Sequence, residues 1–204
     1  MARRAPVFVF AAIAGILALA MVSISQAQSR GNRGGAAALG GVTILDMNGM
    51  WRMFYVLKPP LVEEGGKLQP VAYQQGWLNS DSAPAPANWM AEDFDDSTWA
   101  LRSAKTQCAT PYLAAFYLRG KCTVTDPSRV HGLKMALACH GGAIVYLNGK
   151  QVARAHAAVV KESFEYAREG GTSLADLALP VGSLHAGVNV LAIEVVRAPF
   201  ENVK

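Results

Sequence analysis

The sequence predicts an all-β protein, an antiparallel β-sandwich that follows a cleavable leader, and three observations predict it. Beyond residue 41, short runs of alternating apolar and polar residues recur at a spacing of roughly 8 to 12 residues. Clusters of Gly, Pro, Asn and Asp separate these runs. No stretch after the leader sustains the apolar period of about 3.6 residues that a surface helix requires.

The leader comes first. Arg3 and Arg4 precede an apolar run from Val7 to Val22, and Ser25-Gln26-Ala27 follow it. A cationic start, an apolar middle and small residues at the end are the plan of a secretory signal peptide. The run holds 16 residues, fewer than the roughly 20 that cross a bilayer as a helix; retention as an uncleaved anchor is the other reading. The expected organisation is a signal peptide over residues 1–27, a flexible Gly/Ala-rich tail over 28–41, the sandwich over 42–198, and a C-terminal tail or start of a linker over 199–204. The protein is then exported, to the periplasm, the cell surface or the medium, and has no membrane contact after cleavage.

Within the sandwich, Trp51, Met53, Tyr55 and Leu57 alternate as one face of a first strand, which Pro59-Pro60 ends because proline has no N–H to give the ladder. Glu63-Glu64-Gly65-Gly66 reads as a loop or hairpin tip. Residues 79–99, with Pro84, Pro86, Asp93 to Ser97 and the aromatics Trp89, Phe94 and Trp99, read as a loop anchored by its rings. Phe116, Leu118, Gly120, Cys122 and Val124 then alternate with Tyr117, Arg119, Lys121 and Thr123, a pattern that sets the first group inward and the second in water. Leu133, Met135, Leu137 and Cys139 repeat it. Asn148-Gly149, between Ala143–Leu147 and Gln151–Arg154, suits the positive φ angles of a type I′ hairpin turn. A short strand over Ser163–Ala167 and an apolar segment over Leu174–Leu179 follow. Val188–Val196 is β-branched enough to be a central strand.

Composition excludes several function classes. Half of the residues are apolar and 17% are charged, a globular balance. Loss of residues 1–27 removes two arginines and no acid, so the formal charge falls from +4 to +2. The remaining cations are scattered, with no basic stripe interleaved with aromatics, and nucleic acid is not an expected partner. Cys108, Cys122 and Cys139 are three, so one thiol stays unpaired in any monomer, and no Cys-x-x-Cys or His-x-x-x-His spacing marks a zinc site.

Four segments in succession carry a family resemblance: Asp93-Phe94-Asp95-Asp96-Ser97-Thr98-Trp99, Phe116-Tyr117-Leu118-Arg119, Val145-Tyr146-Leu147-Asn148-Gly149-Lys150 and Leu184-His185-Ala186-Gly187-Val188-Asn189-Val190-Leu191-Ala192. In order and spacing, over roughly residues 75–197, the chain resembles a galactose-binding-like jelly-roll domain, similar to the N-terminal sugar-binding domain of family 2 glycoside hydrolases such as β-galactosidases and β-glucuronidases. The resemblance implies an ancillary module, because in that family the catalytic carboxylates lie in a separate barrel domain. The partner it implies is a carbohydrate or a downstream catalytic domain.

The candidate site residues follow. Trp77 and Trp89 are candidates to stack on a pyranose, whose C–H face suits an indole, while Trp99 is expected in the core. Glu92, Asp93, Asp95 and Asp96 form an acidic cluster in a loop. Solvation and capping are the plain use of these carboxylates; a structural calcium, held by Asp93, Asp95 and Asp96, is the one cofactor they allow, although the EF-hand glycine is missing. His131, His140, His156 and His185 lie in turn-like contexts with no Ser or Cys nucleophile motif beside them. No catalytic residue is assigned. The function expected is an exported carbohydrate-binding or accessory module at the front of a larger carbohydrate-active protein. The alternatives are the front part of a glycoside hydrolase and a structural cell-surface interaction domain.

Overall fold

The computed structural model of the chain describes residues 21–25, 42–65, 67–70, 81–105, 110, 112–139, 141–155 and 172–197. Twelve strands run through the described residues: β1 Met21–Ser25, β2 Val42–Leu45, β3 Met50–Leu57, β4 Leu61–Glu64, β5 Lys67–Pro70, β6 Ala100–Ser103, β7 Leu113–Val124, β8 His131–Cys139, β9 Gly142–Leu147, β10 Lys150–Ala155, β11 Thr172–Ala178 and β12 Gly187–Val196. Every pairing is antiparallel. A six-stranded sheet has the order β10-β9-β12-β7-β3-β6, a four-stranded sheet the order β11-β8-β1-β2, and β4 with β5 forms a separate hairpin.

The two larger sheets face each other across one apolar core. From the six-stranded sheet come Trp51, Met53, Phe116, Leu118, Val145, Leu147, Leu191, Ile193 and Val195; from the other come Leu45, Leu133, Met135, Leu137 and Cys139. The alternation read along β3, β7 and β8 is the cause, since each strand sends every second side chain to the same face. Tyr55 and Phe116 are opposite in the ladder and stack at 5.0 Å, the kind of cross-strand pair that fixes register. Gly120 is a packing requirement: a Cβ there would come within 2.7 Å of the Trp51 ring. The turn between β9 and β10 carries φ 50° at Asn148 and 76° at Gly149, as a type I′ hairpin demands.

The second face of β7 is not in water: Tyr117 and Arg119 are buried, because residues 81–99 fold back across it. The strand β1 lies inside the segment read as a signal peptide, between β8 and β2. The strand expected over Ser163–Ala167 lies outside the described residues, as does Cys108. Cys122 is a free thiol, and burial pushes it up from its ordinary value.

Candidate functional site

The outer face of the six-stranded sheet gathers most of the residues singled out by sequence, and it has two unlike halves. In the first, the 81–99 segment is locked down. Arg119, 1% exposed in the middle of β7, donates from Nε to Asp96 Oδ2 at 2.9 Å and from Nη1 to the carbonyls of Trp89 and Ala91. Its guanidinium also lies 5.2 Å from the centre of the Phe94 ring. Lys121 Nζ reaches Asp96 Oδ1 at 2.9 Å, with Arg52 Nε 3.8 Å away. Burial pushes the Asp96 carboxyl up, but the hydrogen bonds from Arg119 and Lys121 outweigh it and hold the group below its ordinary value.

This lock redirects the acidic cluster. Asp96 is held by three cations, Asp95 accepts the backbone N–H of Ser97 at 2.9 Å, and Asp93 is exposed. Asp93, Asp95 and Asp96 therefore do not converge, and among the described residues no group of three His, Cys, Asp or Glu side chains is placed to hold a metal ion. A calcium ion at Asp96 would have to displace two hydrogen-bonded cations. Glu92 instead accepts from His185 Nε2 at 2.8 Å, and the other ring nitrogen of His185 lies 3.0 Å from the Ala186 carbonyl.

Trp89 is drawn into the same packing. Trp89 is 4% exposed, stacked on Trp99 at 6.3 Å and edge-on to Tyr117 and Tyr146 at 4.9 and 5.5 Å. Its indole is core, so it offers no open face to a pyranose. Trp99 is core as expected. Trp77 lies outside the described residues.

The second half of the face is part-exposed among the described residues, with Phe54, Tyr146, Arg154 and Glu194 half-buried and Ile144 and Tyr117 buried. One cross-strand row runs Arg154 (β10), Ile144 (β9), Glu194 (β12), Tyr117 (β7) and Phe54 (β3), with Tyr146 in the row beside it. Glu194 Oε1 accepts from the Tyr117 hydroxyl at 3.0 Å, the one hydrogen bond that ties its carboxylate to the described residues. Burial raises the Glu194 carboxyl above its ordinary value, against the opposing pull of the Tyr117 hydroxyl and Arg154. The Tyr117 and Tyr146 phenols are pushed up too, first by burial and then by the charge of Glu194. A hydroxyl, a carboxylate, a guanidinium and a part-exposed ring thus stand on a rigid sheet. Sequence reading passed over Glu194 and Tyr146; the signal available was a lone acid inside the apolar run Val190–Val196.

No family model matches the sequence, and no curated protein matches it. Among solved structures, the chain is similar to a Bifidobacterium dentium β-glucuronidase complexed with coumarin-3-O-glucuronide, at 14% identity and a TM-score of 0.30. The match covers 87% of this chain and 20% of that one, so the chain spans about a fifth of the enzyme's length. At that score the comparison carries no argument, and what the chain's own strands establish is an all-β, antiparallel fold of sandwich-like build.

Proposed function

We propose that the chain is an exported, non-catalytic jelly-roll module of the galactose-binding-like type, which binds carbohydrate as the accessory part of a larger carbohydrate-active protein. The succession of four sequence segments supports the type. The observation that carries the binding role is the row of Tyr117, Glu194 and Arg154 with Tyr146 beside it, because rigidly placed polar groups next to an aromatic ring are what a sugar's hydroxyls and C–H face require. The module positions a glycan, and bond breaking belongs to a catalytic domain elsewhere in the longer protein.

A second reading, docking against that catalytic domain, is favoured by Met50, Leu101 and Val188, large apolar side chains about half exposed on the described strands. A glycan array probed with the purified exported protein separates the two. Saturable binding to a sugar class, weakened at least tenfold by Tyr146→Ala in a protein with unchanged near-UV circular dichroism, is the expected result. A folded protein that captures no glycan would overturn the binding role and leave docking.

A further inference from the structure

The chemistry of the part-exposed half of the sheet is specific enough to choose among sugars. Glu194 sits on β12, between β9 and β7 in the six-stranded sheet. One of its oxygens is held by Tyr117, which fixes the carboxylate in place, and no second hydrogen bond ties the carboxylate to the described residues. An ionised carboxylate only accepts hydrogen bonds, so what completes Glu194 is a donor, and the hydroxyls of a sugar are donors. Beside it the Tyr146 ring is held edge-on by Trp89 at 5.5 Å and is part-exposed. That combination presents a ring surface for C–H contact and an acceptor directly next to it.

The charge pattern decides the class. The negative charge stands on a central strand and the positive charge on β10, the last strand of the sheet, where Arg154 Nη2 also bonds Gln151 Oε1 at 3.1 Å. A ligand seated over the central strands meets the carboxylate first. An anionic sugar would bring a like charge to a part-buried site, where screening by water is weak.

We propose that Glu194, fixed by Tyr117 and flanked by Tyr146, accepts hydrogen bonds from an adjacent pair of hydroxyls on an uncharged sugar ring and discriminates against sugars that carry a carboxylate. This rests on the carbohydrate-binding reading and supplies its site and ligand class. Among the described residues, the ionisable groups near Glu194 are Tyr117 from β7, Tyr146 from β9 and Arg154 from β10. The two phenols are raised from a value already far above neutrality and Arg stays charged, so a loss of binding on acidification reports Glu194.

The test is affinity electrophoresis and calorimetry of the full exported protein against three neutral polysaccharides, a mixed-linkage glucan, a galactomannan and an unsubstituted xylan, and against polygalacturonate. The variants are Glu194→Gln and Tyr146→Ala, with folding followed by near-UV circular dichroism. Expected is binding to at least one neutral polymer, at least tenfold weaker binding to polygalacturonate, a loss of tenfold or more in Glu194→Gln, and a fall in wild-type affinity at acidic pH that the variant does not show. Equal binding of a neutral polymer by the wild type and folded Glu194→Gln would overturn this site while leaving the module reading intact. Preference for polygalacturonate would overturn the ligand class. A folded protein that binds none of the four overturns both.

Discussion

Arg119 is the residue on which the outer face turns. Its side chain is fully buried, and it ties three points of the 81–99 segment, the Asp96 carboxylate and the Trp89 and Ala91 carbonyls, to the centre of β7. Removing one partner of a buried pair leaves the other charge uncompensated, which costs about 3–5 kcal/mol. Arg119→Ala is therefore expected to lower the unfolding free energy by an amount of that order, and chemical unfolding measures it as a fall in the denaturant midpoint. Lys121 and Arg52 remain near Asp96 in that variant, so the loss falls at the lower end if they reposition. The same logic sets an acid dependence. Asp96 has a folded pKa below its unfolded value, so its contribution is complete above about pH 4 and is lost as pH falls through the folded value. Gly120 is a quieter determinant: the strand pattern alone reads it as one more inward position, and only the Trp51 ring lying over it explains why no side chain fits.

At the scale of elements, the end of the sandwich near the β9–β10 turn is held by side-chain hydrogen bonds as well as by apolar contact. Asn148 donates to the Ser183 carbonyl and to Asn189 Oδ1, both at 2.7 Å, and accepts from the Val190 backbone at 2.8 Å. Asn189, fully buried, donates to the carbonyls of His185 and Gly187. The His185–Glu92 contact carries this network on to the 81–99 segment. The hydrogen bond with Ala186 and the carboxylate of Glu92 both raise His185 above its ordinary value, so the imidazolium form is the one the fold favours. Its stabilising contribution is complete below the unfolded value of about 6.5 and is lost as pH rises through the folded value. Histidine resonances followed by NMR should show the raised titration, and Glu92→Gln should move it back towards the ordinary value. An unmoved titration in that variant would remove Glu92 as a cause.

At the scale of the whole molecule, the export reading and the strand β1 meet in the same residues. Cleavage after Ala27 would take Met21–Ser25 out of the four-stranded sheet and leave β8 and β2 without their common neighbour. The proposal of an exported module predicts an intact mass that starts at Gln28 when the full reading frame is expressed in a secreting host. A mass that keeps residues 21–25 would sink the signal-peptide reading and make β1 a permanent strand of the fold.

The amino-acid sequence by itself determined the strands with a dry face and a wet or covered one: Trp51–Leu57, Phe116–Val124, Leu133–Cys139 and Val188–Val196 were legible because alternation is a local property of the pleat. The Asn148-Gly149 hairpin was legible for a similar reason, since positive φ is set by residue type. What covers the second face of β7 was decided only by the tertiary structure. Burial of Tyr117, Arg119 and Asp96 depends on a loop some 20–40 residues upstream folding across the sheet, and no local period encodes that. The same contact turned an acidic cluster into an ion-paired lock and a candidate sugar platform at Trp89 into core. It also left Glu194 and Tyr146, unremarkable in the sequence, as a part-exposed polar and aromatic pair, because strand register and not chain proximity brings Tyr117, Glu194 and Arg154 into one row.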